Sequence, residues 1–179
     1  MTTANKITIF RMLAIPVFLV LMYTNHVFVA LAVYIIACLS DVADGYIARH
    51  YNQVSNFGKF MDPLADKMLV LSAMCFFIEA GQMAGWVVAI VLLREFGVSG
   101  LRMVAVEQGK VIAAARSGKT KTGITMVSLG FMMVAPVWWP GALAAINTVA
   151  ACLIVLTTVF SGVEYFVKNI AVFQTKSNA

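Results

Sequence analysis

The sequence contains little charge: 13 lysines and arginines and 8 aspartates and glutamates make up 12% of its 179 residues. Its longest polar stretch covers only residues 107–121, so no soluble domain of independent size fits outside the apolar segments. Hydrophobic residues make up 61% of the chain. A water-soluble fold would expose too much apolar surface, and the composition therefore predicts a membrane protein.

Cysteine and histidine are also scarce. Cys38, Cys75 and Cys152 each lie alone in an apolar segment, with no neighbouring cysteine or histidine at the spacing of metal ligands. His26 and His50 likewise have no companion ligand nearby. These absences argue against a zinc site and against a disulfide framework, and they indicate three buried thiols.

The apolar segments have the length of membrane-spanning helices, which need about 20 mostly apolar residues. Six such segments occur, near residues 7–24, 27–48, 60–80, 84–104, 122–140 and 143–167. The amphipathic stretch "NKITIFR" precedes the first segment and indicates a short N-terminal interfacial helix. We therefore expect an all-α integral membrane protein with six transmembrane helices, forming a single domain over residues 1–179.

The basic residues are distributed asymmetrically. If the N-terminus is cytoplasmic, the loops near 24–27, 81–85 and 138–143 face outward, and none contains lysine or arginine. This asymmetry follows the positive-inside rule. The net charge of +5 is spread over several segments without a nucleic-acid motif, so we expect no nucleic-acid partner. Anionic lipid headgroups and phosphate substrates explain the charge better.

Four aspartates stand out in this apolar chain: Asp41, Asp44, Asp62 and Asp66. On helices, their spacings of three and four residues place each pair on one helix face. Ionised carboxylates in or near a bilayer are costly and persist only where positive charge shares the site. Hard oxygen donors at this density suit Mg²⁺, Mn²⁺ or Ca²⁺.

A simpler interpretation is that these are solvated carboxylates at helix ends, paired with Arg49, Lys59 and Lys67. That interpretation suits a single aspartate. For four of them, with Gly45 and Gly58 removing side-chain bulk nearby, a functional cluster is the better explanation, because a glycine within a helix is costly unless something approaches closely.

The whole pattern is Asp41-x-x-Asp44-Gly45-x-x-Ala48-Arg49, eight residues, then Gly58-x-x-x-Asp62-x-x-x-Asp66. It resembles the signature of the CDP-alcohol phosphotransferases at every specified position. The resemblance implies a membrane enzyme with six spanning helices that commonly forms homodimers. It also implies a reaction in which an acceptor hydroxyl displaces CMP from a CDP-linked donor, with a divalent metal, Mg²⁺ or Mn²⁺, at the diphosphate.

The resemblance further implies roles for the signature residues. The implied metal ligands are Asp41, Asp44, Asp62 and Asp66, with Asp66 also the general base, and the implied CDP-binding residues are Gly45, Ala48, Arg49 and Gly58. Elementary chemistry agrees with these roles. Metal ions neutralise a diphosphate, a nearby carboxylate accepts the hydroxyl proton, and a fixed guanidinium binds phosphate oxygens.

A second stretch, "LLREFGVSGLRMVAVEQGKVIAAARSGKTKT", resembles the corresponding region of the phosphatidylglycerophosphate synthases, a branch of this family. These enzymes use CDP-diacylglycerol and glycerol 3-phosphate, and the likeness also includes Glu95 and Gly118. It implies an acceptor phosphate site formed by Arg94, Ser99, Arg102, Lys119, Lys121 and Thr122. For the two lysines, charge that sets membrane topology is an equal alternative.

Glu95 is expected to pair with a cation across this pocket. It is not expected to pair with Arg94, because adjacent helical residues do not face each other. We expect a multi-pass protein of the cell inner (cytoplasmic) membrane, with the active site facing the cytoplasm, where the basic residues lie.

Other interpretations remain open. The acceptor in the same family is alternatively inositol phosphate, serine or phosphatidylglycerol. An intramembrane prenyltransferase also binds Mg²⁺-diphosphate through aspartate-rich helices, but with more spans and different spacing. A divalent-cation transporter would show broken helices in repeated halves, whereas all four aspartates here lie in one half of the chain.

Overall fold

The computed structural model describes residues 3–50, 56–109, 112 and 115–170, with the backbone alone for 3–8, 41–50 and 56–66. Within these residues there are six α-helices and no strand, which confirms the predicted all-α class. The helices are α1 (Thr3–Tyr23), α2 (Val27–His50), α3 (Asn56–Glu79), α4 (Gly85–Glu107), α5 (Arg116–Trp138) and α6 (Leu143–Lys168). A short 3₁₀ helix, Pro140–Ala142, connects α5 to α6.

Each helix corresponds to one predicted apolar segment, although the ends differ. The largest difference is in α5, which begins at Arg116 instead of near residue 122, because helical hydrogen bonding continues through the polar stretch before the apolar segment. Helix α1 is continuous from Thr3 to Tyr23. The predicted N-terminal interfacial segment is therefore part of α1 and not a separate helix.

By length and composition, two of the described helical segments are long and apolar enough to cross a membrane: Arg116–Trp138 and Pro140–Lys168. Large apolar side chains also cover much of the described exterior. Leu93, Phe96 and Leu156 are 76%, 68% and 67% exposed, respectively. Such a surface is unfavourable in water and compatible with lipid, which supports a membrane location.

The helices share one apolar core. Phe18 of α1, Phe77 of α3, Val91 of α4, Met132 of α5 and Ile154 of α6 are all almost completely buried. Helix α1 packs against α2 and α3, and α6 packs against α4 and, most extensively, α5. A smaller cluster around Tyr165 fills the space between α4 and α6. The bundle thus has a packed interior that holds its polar residues in fixed positions.

Contacts between helices show which helix ends lie together. The rings of Phe28, at the start of α2, and Trp138, at the end of α5, have centroids 6.0 Å apart. Near the opposite end of the bundle, Arg102 of α4 contacts Tyr165 of α6. Helix α2 also ends there, and α3 begins after residues 51–55. We call this the signature end, because the signature motif lies on the two adjoining helix ends.

Candidate active site

The four aspartates, which we call the carboxylate set, lie on regular helices. Asp41 and Asp44 are in the C-terminal part of α2, and Asp62 and Asp66 are in the N-terminal half of α3. The chain connection between α2 and α3 therefore places both pairs at the signature end. The predicted roles of these carboxylates, and of Gly45, Ala48, Arg49 and Gly58, concern groups outside the described residues.

A group of charged side chains surrounds Glu95, and one of them, Lys67, directly follows Asp66 on α3. Lys121 Nζ donates a hydrogen bond to Glu95 Oε1 at 2.8 Å, and Arg94 Nη1 donates to the same oxygen at 2.9 Å. Lys67 Nζ lies 3.6 Å from Glu95 Oε2. We call these four residues the cation cluster. Counted over these described side chains, three cations and one carboxylate give an excess of two positive charges.

The predicted partner of Glu95 was partly right and partly wrong. Pairing with a cation from another helix is confirmed by Lys121 of α5 and Lys67 of α3. The exclusion of Arg94 was wrong, because the two residues form an ion pair at 2.9 Å. The Cα–Cβ bonds of adjacent helical residues point in different directions. The arginine side chain is nevertheless long enough for its guanidinium to reach the neighbouring carboxylate.

Arg94 is the most constrained member of the cluster. Its side chain is only 12% exposed, and its Nη2 donates to Ser161 Oγ of α6 at 2.6 Å. A Cβ atom added at Gly118 or at Gly162 would lie 3.2 Å from Arg94 side-chain atoms. Both glycines therefore make room for the arginine between α5 and α6. Sequence reasoning missed Ser161 and Gly162, although a Ser-Gly pair in an apolar segment is a usable indication of close packing.

Lys67 connects the cation cluster to α3, one of the two helices that carry the signature motif. It directly follows Asp66 on α3, and its Nζ donates to Ser99 Oγ of α4 at 2.9 Å. The predicted acceptor residue Ser99 is thereby brought to the cluster. Sequence reasoning considered Lys67 only as a counter-charge for the aspartates, because its partners lie on a different helix and are distant in sequence.

The other predicted acceptor residues lie apart from the cluster. Arg102 Nε donates to Tyr165 OH at 2.8 Å, and its guanidinium lies 5.4 Å from the centre of the tyrosine ring. Lys119 is exposed. Thr122 is exposed too, and its hydroxyl donates to the Gly118 carbonyl at 3.1 Å. Of the six predicted residues, the structure brings together Arg94, Ser99 and Lys121.

The described side chains contain no group of three or more histidine, cysteine, aspartate or glutamate residues that could hold a metal ion. The cations among the described residues can bind an anion. Arg94 and Lys121 are largely buried, where their contacts with an anion are less screened by water than surface contacts. With Lys67 nearby, they form a partly buried positive site beside the helix that carries Asp66.

Comparison with known proteins identifies the class to which this fold and site belong. The family model described as CDP-alcohol phosphatidyltransferase matches residues 1–163, and the chain belongs to that family.

Among curated proteins, the chain is 35% identical, over 97% of its length and 97% of the relative's, to the CDP-diacylglycerol–glycerol-3-phosphate 3-phosphatidyltransferase of Bacillus subtilis. It is 37% identical to the Escherichia coli K12 protein of the same name, over 89% of this chain and 90% of that one. A probable phosphatidylglycerophosphate synthase of Mycobacterium tuberculosis is 38% identical over 90% of this chain and 78% of its own.

Proposed function

We propose that this enzyme transfers a phosphatidyl group from CDP-diacylglycerol to glycerol 3-phosphate, giving phosphatidylglycerophosphate and CMP in phospholipid biosynthesis. The observation that carries the proposal is the cation cluster, with its excess of two positive charges next to the helix of Asp66. The names of the relatives support the same donor and acceptor.

The carboxylate set fits a divalent metal by the chemistry of its donors. Four carboxylates on two adjoining helix ends provide hard oxygen ligands of the kind that Mg²⁺ and Mn²⁺ prefer. Asp41, Asp44, Asp62 and Asp66 would hold the metal, which when bound neutralises the donor diphosphate and the leaving CMP. Arg49 would contribute a fixed cation to the diphosphate. Gly45, Ala48 and Gly58 would leave room for the CDP group.

Asp66 accepts the proton of the acceptor hydroxyl in this proposal. The hydroxyl oxygen forms a bond to the phosphorus of the phosphatidyl group, and the bond from that phosphorus to the CMP oxygen breaks. A carboxylate within reach of the hydroxyl lowers the barrier by removing its proton as the new bond forms. Because Lys67 is the next residue on α3, the proton acceptor and one cation of the cluster share a single rigid helix.

The charge of the cluster favours a phosphomonoester as acceptor. A phosphomonoester carries about −1.5 to −2 charges at neutral pH, which matches an excess of two positive charges. Serine has no net charge and phosphatidylglycerol has one negative charge, so both would leave positive charge uncompensated in a partly buried site. Inositol phosphate satisfies the charge equally well, and an assay must separate it from glycerol 3-phosphate.

The proposal includes a membrane arrangement. Six spanning helices with a cytoplasmic N-terminus would place the signature end at the cytoplasmic face of the inner membrane, where the first turns of α1 would lie at the interface. In that orientation the outward loops contain no lysine or arginine. A homodimer is part of the same proposal and rests on the family resemblance.

The test is release of CMP from CDP-diacylglycerol by the purified full-length protein, with labelled glycerol 3-phosphate, inositol phosphate, serine and phosphatidylglycerol supplied separately. We expect glycerol 3-phosphate alone to be converted efficiently. Treatment with EDTA should stop the reaction, and added Mg²⁺ or Mn²⁺ should restore it. Efficient turnover of another acceptor would replace the proposed one, and CMP release that survives EDTA would overturn the metal-dependent chemistry.

A further inference from the structure

Glu95 is a negative group in the middle of a site proposed to bind phosphate. Its side chain is only 18% exposed, and one of its oxygens lies within 2.9 Å of both Arg94 and Lys121 nitrogens. A carboxylate in this position repels an incoming phosphate and competes with it for the same donors. The acceptor site would bind phosphate more tightly without Glu95, so its presence requires another explanation.

The number of N–H donors in the cluster shows that a phosphate can still bind when Glu95 is present. An ammonium group has three N–H donors and a guanidinium has five. Among the described residues, Lys121 gives one donor to Glu95 and Lys67 gives one to Ser99, while Arg94 gives one each to Glu95 and Ser161. Counted over the described side chains, each of the three cations therefore keeps donors for the oxygens of a phosphate. Glu95 and a bound phosphate can share the cluster.

The proposed reaction leaves the phosphate of the acceptor unchanged. Bond formation occurs at the hydroxyl, so substrate and product carry the same phosphomonoester. Contacts to that group stabilise substrate, transition state and product alike, and such uniform binding does not raise kcat. A site with three uncompensated cations would hold the product as firmly as the substrate and slow its release.

We propose that Glu95 is the built-in counter-ion of the acceptor site. In the empty site it holds Lys67, Arg94 and Lys121 together against their mutual repulsion. In the occupied site it lowers the affinity for the phosphomonoester, so that the product dissociates. Glu95 is thus a positioning residue and Lys67 is a further phosphate-binding residue. The inference rests on the proposed function, since it takes a phosphomonoester as the ligand.

The test uses inorganic phosphate as the probe. We would measure its inhibition constant against glycerol 3-phosphate and its stabilisation of the metal-loaded, full-length protein against heat. Glu95→Gln raises the excess charge of the cluster from two to three, and we expect phosphate to bind at least about tenfold more tightly, because one unit charge removed from a partly buried site is worth more than the 1.4 kcal/mol of a tenfold change. The KM for glycerol 3-phosphate and kcat should both fall, and the empty protein should melt at a lower temperature.

Lys67→Gln lowers the excess charge from two to one and should weaken phosphate binding about tenfold. The double variant Lys67→Gln with Glu95→Gln returns the excess to two, and its phosphate affinity should return to within about threefold of the unmutated enzyme. If Glu95→Gln does not fold, comparing Lys67→Gln with the double variant tests the same effect. Glu95→Asp keeps the charge and should largely retain the original affinity.

The matched control is Glu164→Gln, which removes a partly exposed carboxylate that pairs with Lys168 on α6; phosphate affinity should not change. A purely structural role for Glu95 predicts the opposite of our result: weaker phosphate binding and a higher KM in Glu95→Gln. That outcome, or an affinity in the double variant lower than in Lys67→Gln, would overturn the inference. Failure of the proposed function is distinguishable, because it appears as no turnover of glycerol 3-phosphate by the unmutated enzyme.

Discussion

The carboxylate set and the cation cluster differ in how the chain builds them. The carboxylate set comes from two adjoining helix ends, within one continuous stretch of sequence. The cation cluster and its hydrogen-bond partners come from α3, α4, α5 and α6, with Arg94 and Ser161 separated by 67 positions. The first can be read from spacing along the chain, whereas the second exists only through helix packing.

In the proposed reaction the two groups of residues have different roles. In the proposal, the carboxylate set would act on the CDP group of the donor, and the cation cluster would act on the acceptor. Changes in the first region should therefore affect the chemical step, and changes in the second should affect the affinity for the acceptor.

The largest effect is expected from neutralising the proposed metal ligands. Asp41→Asn, Asp44→Asn and Asp62→Asn should each reduce turnover by about a thousandfold or more, because metal stabilisation of transition-state charge contributes several kcal/mol. Each variant should still enter the membrane fraction. Glu107→Gln, at the exposed end of α4, is the control and should be fully active. Full activity of any aspartate variant at limiting metal would remove that residue from the ligand set.

A smaller effect, confined to kcat, is expected from Asp66→Asn. Loss of a general base typically lowers the rate by about 10²- to 10⁴-fold, while the affinity for CDP-diacylglycerol should stay within about threefold. Steady-state kinetics with each substrate varied separately would measure both quantities. If donor affinity collapses together with kcat, Asp66 serves first as a metal ligand, and its assignment as the base loses its support.

Substitutions in the cation cluster should shift the KM for the acceptor. Arg94→Gln or Lys121→Gln should raise the KM for glycerol 3-phosphate about ten- to a hundredfold, the value of one charge-assisted hydrogen bond. The KM for the donor should change much less. Arg102→Gln is the internal comparison and should change the acceptor KM only about threefold, because its guanidinium lies on Tyr165. A larger effect at Arg102 than at Arg94 would place the acceptor phosphate elsewhere.

The smallest effect is expected from crowding Arg94 without changing charge. Alanine at Gly162 would put a Cβ 3.2 Å from Arg94 Cγ, so the arginine must move by a few tenths of an ångström. The acceptor KM should rise about threefold, since displacement by a full 1 Å costs about a hundredfold. Gly123→Ala is the matched control, because nothing lies within 4 Å of its added Cβ. Equal effects of the two substitutions would show that Arg94 does not need this fixed position.

The fold was largely predictable because each helix coincides with an apolar segment and the connections are short. The signature spacing also identified the family, which the family comparison confirms. Helix ends were less accurate, as the early start of α5 shows, because a polar sequence can continue a helix as well as end it. Hydropathy indicates where a segment is apolar and does not fix the last hydrogen-bonded residue.

The cation cluster was only partly predictable, for a different physical reason. Arg94 and Lys121 were proposed from the resemblance to the phosphatidylglycerophosphate synthases, with topology-setting charge as an equal alternative for Lys121. Ser161 and Gly162 were not recognised, since their importance depends on the packing of α6 against α4. The Arg94–Glu95 pair was excluded by a rule about backbone directions that neglects the reach of a long side chain.

The contact between Arg94 and Ser161 also has a consequence for biosynthesis. A ribosome adds about 5–20 residues per second, so the 67 positions between these two residues correspond to about 3 to 13 s of synthesis. During that interval Arg94 has no partner on α6, the last of the described helices to be made. A nascent chain that stops before α6 therefore leaves the Arg94 guanidinium without one of its hydrogen bonds, and the proposed acceptor site is completed only when α6 enters the bundle.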